Sequence, residues 1–117
     1  MAEFNVNLRD VGSVSVIDVK GYLDAHTAPE LENIFNKLLV EKQFRVVVNF
    51  DELKYISSAG LGVFMAYVET MRENKGDIKF SNMKENVYNI FDLLGFPILY
   101  EFYKEEKEAV HKFNDLG

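Results

Sequence analysis

The feature that most constrains the fold is an apolar run at residues 46–50, which leads through a stretch containing Ser57 and Ser58 into helical spacing from Leu61. The run has little alternation of polar and apolar residues, which is typical of a central strand covered on both faces. The serines are therefore predicted to lie where a strand turns into a helix. The first N–H groups of a helix lack partners and its amino-terminal end is partially positive, so an anion on either serine would be stabilised.

The amino-terminal part of the chain predicts a hairpin followed by a helix. Apolar and polar residues alternate over 4–9, as in a half-buried strand, and a second strand pattern covers 13–20 after a turn at 10–12. The pattern breaks at 21–26. Residues 27–30, Thr-Ala-Pro-Glu, have the form of a capping box, so the first helix is expected to begin near Thr27.

The remainder of the chain predicts alternating helices and strands. Helical spacing after the serines is kept by Leu61, Phe64, Met65, Val68 and Met71, and the helix is expected to end at Gly76. Further predicted elements are a strand at 78–81, a helix at 87–94 closed by Gly95, a strand at 98–102 and a helix at 104–113. This order predicts one α/β domain over 1–117, with a small mixed β-sheet, an N-terminal hairpin, parallel crossovers and about four helices.

Composition excludes several classes of protein. The chain has 117 residues and no cysteine, so disulfides, thiolate metal sites and cysteine nucleophiles are absent and a cytoplasmic setting is expected. No apolar run approaches the roughly 20 residues of a membrane-spanning helix. A net charge of −6 opposes general attraction to nucleic acid or anionic lipid. A protein partner with a basic face fits this charge better.

The sequence does not favour catalysis. A nucleophile elbow at Ser58 requires glycine two residues earlier, where Ile56 stands, although Gly60 matches the later position. The candidate general bases are His26 and His111, and a lone histidine in a turn is more often a surface or capping residue. Acidic residues show no calcium-loop spacing, and the glycines fit no nucleotide-binding loop. No enzyme activity, cofactor or metal site is therefore predicted.

The glycines after the serines have two interpretations. Either serine can cap the helix, with a contribution of about 1 kcal/mol. Gly60 and Gly62 each lower helix stability by up to about 1 kcal/mol relative to alanine. Their presence therefore indicates a requirement other than helix stability. They allow either close packing of the helix on a strand or close approach of a partner protein to bare backbone.

The chain resembles the STAS domain of bacterial anti-sigma factor antagonists. The resemblance is carried by residues 55–62, Tyr-Ile-Ser-Ser-Ala-Gly-Leu-Gly, by the preceding strand 46–50, and by Gly-Tyr-Leu-Asp at 21–24. In that family the serine directly after an aspartate is phosphorylated. This serine matches Ser58, whereas Ser57 occupies the position of the aspartate, so either hydroxyl remains a candidate.

The resemblance implies a binding protein and not an enzyme. In its unphosphorylated form it would bind an anti-sigma factor that is also a serine kinase, releasing a sigma factor for transcription; phosphorylation would end that binding, and a serine phosphatase is a further implied partner. Two alternatives keep the fold: a constitutive scaffold subunit of a signalling or transporter complex, and a small-molecule or nucleotide sensor. The implied partner-binding residues are Asp24, Ser57, Ser58, Ala59, Gly60, Leu61 and Gly62. The sequence predicts neither the sigma factor nor the oligomeric state.

Overall fold

Strands and helices alternate along the chain after an amino-terminal hairpin, as seen in a computed structural model that describes residues 3–115. The strands are β1 Phe4–Val11, β2 Val14–Leu23, β3 Arg45–Ile56, β4 Asp77–Ser81 and β5 Phe102–Tyr103. The helices are α1 Ala28–Val40, α2 Ser58–Glu73, α3 Glu85–Leu93, α4 Phe96–Leu99 and α5 Glu106–Asp115. None of the helices in this part of the chain is both long enough and apolar enough to cross a bilayer.

The strands form one sheet in the order β1-β2-β3-β4-β5. β1 is antiparallel to β2, and each later pair of neighbours is parallel. Parallel neighbours need long crossover connections, which α1, α2 and α3 with α4 provide. The predicted α/β class, with its hairpin and parallel crossovers, is confirmed, and α4 is a single additional turn.

The central strand β3 is covered on both faces at its start. Val46 and Val48 lie in the main core with α1, α2 and α3, where Phe50 contacts Phe80 edge-to-face at a centroid distance of 5.2 Å. Val47 points to the opposite face and belongs to a smaller core beneath α5. Burial on both faces explains why this strand is apolar at successive positions.

β2 and β3 are longer than the sequence pattern predicted. The predicted break at 21–26 was wrong at its start, because β2 continues through Gly21 to Leu23. Gly21 has φ of 90°, and a Cβ there would lie 2.0 Å from the Glu3 carbonyl oxygen. Only glycine fits this close approach, and the associated shift in β2–β3 register keeps the strand paired past it.

The first helix does not begin with the predicted capping box. Thr27 stands before α1, but its side chain forms no capping hydrogen bond. Its hydroxyl instead donates to the Tyr22 carbonyl oxygen at 2.9 Å and accepts from the Asp24 N–H at 2.9 Å. Thr27 therefore stabilises the turn that precedes α1 and does not cap the helix.

Two further boundaries differ from prediction. α2 ends with Lys75 in the left-handed conformation, at φ of 66°, and not with Gly76. Gly76 is required for a different reason, since a Cβ there would lie 1.8 Å from the Phe44 carbonyl oxygen. The predicted strand at 98–102 was largely wrong: after Gly95, at φ of 77°, the chain forms α4, and β5 begins only at Phe102.

Candidate functional site

The carboxyl ends of β2 and β3 bring together the two segments that the sequence singled out. Leu23 pairs with Ile56 in the sheet, and the Ser57 N–H donates to the Leu23 carbonyl oxygen at 2.9 Å. Asp24 and Ser57 are the residues that directly follow this pair. The turn leading into α1 and the start of α2 therefore form one continuous surface.

Ser57 is the N-cap of α2. Its backbone is extended, at φ −98° and ψ 173°, and its side-chain oxygen accepts a hydrogen bond from the Gly60 N–H at 3.3 Å. This bond satisfies one of the free N–H groups at the helix start. The Ser57 hydroxyl therefore has a structural role.

Ser58 has a different environment. It is the first residue of α2, its side chain is exposed, and its hydroxyl forms no hydrogen bond among residues 3–115. The first turn of α2 contains no acidic residue. The hydroxyl of Ser58 is thus open to a modifying enzyme, and the helix start around it favours an added negative charge.

The Asp24 carboxylate organises the turn before α1. Its Oδ1 accepts hydrogen bonds from the N–H groups of His26, at 2.9 Å, and Thr27, at 3.2 Å. The Asp24 carbonyl oxygen accepts from the Ala28 N–H at 2.8 Å. The sequence pattern predicted this capping role for Thr27, although an aspartate before a helix is itself a capping signal.

Gly60 and Gly62 serve different purposes. A Cβ on Gly60 would lie 2.7 Å from the Leu23 Cγ and 3.0 Å from the Ile56 Cγ1, whereas nothing lies within 4 Å of the corresponding position on Gly62. Gly60 therefore allows α2 to pack closely on the sheet, and only Gly62 leaves bare backbone at the surface. Leu61 is also buried, at 3% exposure. Gly60 and Leu61, two of the predicted partner-binding residues, are therefore buried beneath the surface that the other members of the set form.

The exposed side of α2 continues beyond the serines. Met65 was predicted to belong to the buried stripe of α2, but its side chain is 55% exposed. It lies outside the buried face because that face is formed around Leu61, Phe64 and Met71. We define the α2 face as Ser58, Ala59, Gly62, Met65 and Ala66, all of which are exposed. The face has short side chains around one flexible apolar side chain, which suits contact with another protein.

Two exposed tyrosines lie on the other side of the sheet, near the same ends of β2 and β3. Tyr22 and Tyr55 are neighbours in the sheet, are 38% and 44% exposed, and have ring centroids 6.1 Å apart. Leu23 and Ile56, the next residues along each strand, point towards α2, so the tyrosines point to the opposite side of the sheet. Their exposure was not predicted from the sequence, although tyrosine is enriched at protein interfaces.

The fold and this exposed helix start define a small α/β module whose candidate site is a surface for contact with another molecule. The family model that describes the STAS domain matches residues 5–109. The chain belongs to the STAS domain family, as the sequence motif predicted.

Relatives and solved structures agree with this assignment. The chain is similar to an anti-sigma-B factor antagonist of Staphylococcus epidermidis, at 29% identity over 93 residues, covering 78% of this chain and 86% of the relative. Its fold resembles the crystal structure of an anti-sigma factor antagonist from Mycobacterium paratuberculosis, with a TM-score of 0.87 and 20% identity over 96% of this chain and 95% of that one.

The fold also resembles the anti-sigma factor antagonist SpoIIAA in two states. The unphosphorylated form has a TM-score of 0.83 and 19% identity, covering 95% of this chain and 97% of that one. The phosphorylated form, from Bacillus, has a TM-score of 0.73 and 19% identity, covering 92% and 98%.

Proposed function

We propose that this protein is an anti-sigma factor antagonist whose binding to an anti-sigma factor with serine kinase activity is ended by phosphorylation of Ser58. The observation that carries the proposal is the exposed, unbonded Ser58 hydroxyl at the start of α2, adjacent to the Asp24 turn. Ser57 is the less suitable acceptor, because its hydroxyl already caps the helix. The function is therefore regulated binding and not catalysis.

The unmodified surface is suited to close contact with a protein. The α2 face presents small side chains and the bare backbone of Gly62, so a partner can approach the helix closely. Met65 supplies flexible apolar contact at the centre of this face. A basic partner surface complements the net charge of −6.

Phosphorylation acts on this surface through charge. A phosphate on Ser58 adds about −1.5 to −2 charge at pH 7, next to Asp24 and on an acidic protein. The helix start stabilises that phosphate in the free protein by roughly 0.3–1 kcal/mol, so the fold is retained. At the interface the phosphate introduces repulsion and desolvation, and a change of about 4 kcal/mol would weaken binding roughly a thousandfold. No large conformational change is required.

The decisive experiment is phosphorylation by a candidate anti-sigma factor with serine kinase activity from the same organism, referred to below as the anti-sigma kinase. Wild type, Ser57→Ala and Ser58→Ala are incubated with that kinase and ATP, followed by intact-mass measurement and site mapping. We expect one phosphate on wild type and on Ser57→Ala, and none on Ser58→Ala, because of these two serines Ser58 has the exposed, unbonded hydroxyl and Ser57 caps the helix.

Binding and modification are separated by a second measurement with the same kinase. Wild type and Ser58→Ala should bind it with similar affinity, whereas Ser58→Asp should bind at least about tenfold more weakly, since the new charge faces the partner. A kinase that binds wild type but phosphorylates neither serine would refute the switch. Equal affinity of Ser58→Asp and wild type would refute the repulsion mechanism.

A further inference from the structure

β1 is a long, open edge of the sheet. Within residues 3–115 the two edge strands are β1, with eight residues, and β5, with two. No strand of this part of the chain pairs with the outer side of β1. β1 also contains neither proline nor lysine, which commonly protect a strand edge from further pairing. β1 is therefore suited to pairing with another strand, whereas β5 is too short.

The main-chain groups that β1 leaves open belong to its even-numbered residues. The Glu3 carbonyl oxygen accepts a hydrogen bond from the Tyr22 N–H at 2.8 Å, so the main-chain groups of Glu3 point towards β2. In an antiparallel pair, successive residues direct these groups to alternate sides of the strand. The N–H and C=O groups of Phe4, Val6 and Leu8 therefore point away from β2, to the open side.

The side chains along this edge are only partly covered. Phe4, Val6 and Leu8 are half-buried and pack against the main core. Asn5 and Asn7 point to the opposite face of the sheet and are exposed. A second strand beside β1 would therefore cover apolar surface on one face and meet amide groups on the other.

The sequence of β1 is complementary to itself in an antiparallel arrangement. When Val6 of one copy lies opposite Val6 of a second copy, the facing residues match in character: Phe4 with Leu8, Asn5 with Asn7, and Glu3 with Arg9. Apolar pairs and opposite charges that face each other across two strands stabilise the pairing. The Arg9 side chain is 38% exposed although it also pairs with Asp18, so it remains accessible to a second copy.

We propose that two copies of this chain associate through β1, antiparallel and centred on Val6, and join their five-stranded sheets into one. The open main-chain groups of Phe4, Val6 and Leu8 then face those of Leu8, Val6 and Phe4 in the second copy, and form about six hydrogen bonds. A register centred on Asn7 would form similar hydrogen bonds but would place Phe4 opposite Asp10. The side chains therefore select the register centred on Val6.

This association leaves both proposed partner surfaces open. α2 packs over β3 and β4, away from β1, and Ser58 lies at the carboxyl end of β3. Because the two β1 strands run antiparallel, the two copies of Ser58 lie at opposite ends of the joined sheet. The dimer would bind two anti-sigma factors at once. This consequence rests on the proposed function, whereas the dimer itself does not.

The first test is sedimentation equilibrium of the full chain over a range of concentrations. We expect wild type to form a dimer that dissociates on dilution. Val6→Pro removes an N–H group from the open side and leaves the β1–β2 hydrogen bonds intact, so it should raise the dimer dissociation constant at least about tenfold. Val6→Ala is the matched control, because it shortens the same side chain but keeps the N–H group, and its effect should be smaller. Thermal unfolding of each variant checks that the monomer is folded.

The second test reads the register and does not depend on the proline variant. The chain has no cysteine, so introduced thiols report on chosen pairs. Asn5→Cys and Asn7→Cys, in separate proteins that are then mixed, would face each other with Cα atoms about 4.5 Å apart, within reach of a disulfide. In each variant alone the two cysteines would be diagonal neighbours about 7–8 Å apart, and should cross-link much more slowly.

Neither measurement uses a kinase, so their outcome is independent of the proposed phosphorylation switch. Wild type that stays monomeric at every concentration would overturn the inference. So would cross-linking in the mixture that is no faster than in each cysteine variant alone. Faster cross-linking of Asn7→Cys with itself would overturn the register centred on Val6.

Discussion

Ser57 and Ser58 are adjacent in the sequence, but the fold gives their hydroxyls different roles. Ser57 has the extended backbone of an N-cap and bonds the Gly60 N–H, whereas Ser58 is exposed as the first helical residue. The family position normally held by aspartate is thus filled by another capping side chain. Local geometry, more than residue type, makes Ser58 the better candidate for modification.

At the same scale, the two glycines of α2 predict opposite effects of alanine. Gly60→Ala should lower the free energy of unfolding by about 1–3 kcal/mol, because its Cβ would overlap Leu23 and Ile56. Gly62→Ala should raise it by up to about 1 kcal/mol, since its Cβ meets open space and alanine favours the helix. Urea denaturation of both variants measures the difference.

Gly62→Ala also tests the use of bare backbone at the surface. If a partner approaches this position closely, the variant should bind the anti-sigma kinase more weakly than wild type despite its greater stability. Destabilisation by Gly62→Ala would contradict the open geometry around that residue.

At the scale of elements, α5 covers the sheet face opposite to the main core. Its Ala109 and Phe113 cover Val47, and Lys79 lies 4.7 Å from the Phe113 ring centroid. The sequence predicted a marginal terminal helix here. Its short apolar stripe is sufficient to hold the helix on the sheet, because Val14, Val16 and Val47 form an apolar surface beneath it.

A polar contact ties the start of α5 to the sheet. The Glu106 carboxylate pairs with Arg9 and accepts a hydrogen bond from the Asn49 side chain at 3.0 Å. The hydrogen bond from Arg9, with a further contribution from Asn49, holds the pKa of Glu106 below its ordinary value of 4.5. A carboxyl whose pKa is lowered by folding stabilises the protein while it is ionised.

Glu106→Gln should therefore lower stability in a pH-dependent manner. We expect a loss of about 1 kcal/mol at pH 7, limited by the partial exposure of the pair. Below the ordinary pKa of 4.5 the wild type loses the same stabilisation as Glu106 becomes protonated, so the two proteins should converge. Urea midpoints measured between pH 7 and acid values check this.

Glu105→Gln provides the control for this experiment, because the neighbouring carboxylate is exposed and has no ion pair among the described residues. Its effect on stability should be small at all pH values. A constant difference between Glu106→Gln and wild type across the pH range would contradict an electrostatic role for Glu106.

At the scale of the whole molecule, charge is distributed unevenly along the sheet. The chain carries −6 overall, the proposed partner surface lies at the carboxyl ends of the parallel strands, and three cations, Lys42, Arg45 and Lys75, lie together at their amino ends. A negative charge added at Ser58 therefore increases the existing negative charge of the protein that a partner meets.

This arrangement predicts that the effect of Ser58→Asp depends on salt. The ratio of its dissociation constant for the anti-sigma kinase to that of wild type should fall as salt rises from about 0.1 M to about 1 M, where the Debye length shortens from about 10 Å to about 3 Å. Isothermal titration at several salt concentrations measures the ratio. A ratio independent of salt would indicate steric exclusion instead of charge repulsion.

The sequence by itself determined the order of the elements as far as α3, the parallel crossovers and the position of the serines at a strand-to-helix turn. These features follow from local signals: apolar periodicity of two or 3.6 residues, the doubly covered run at 46–50, and glycine at helix ends. They need no knowledge of distant contacts, and the family motif added the identity of the module.

Only the tertiary structure decided which residues of the motif face outwards and where β2 and β3 end. Gly21 continues a strand because the Glu3 carbonyl approaches it, and Gly60 is buried because Leu23 lies against it. The convergence of Lys42 and Lys75 likewise depends on two helix ends that are far apart in the sequence. Each of these outcomes depends on contacts between distant segments, which local periodicity does not encode.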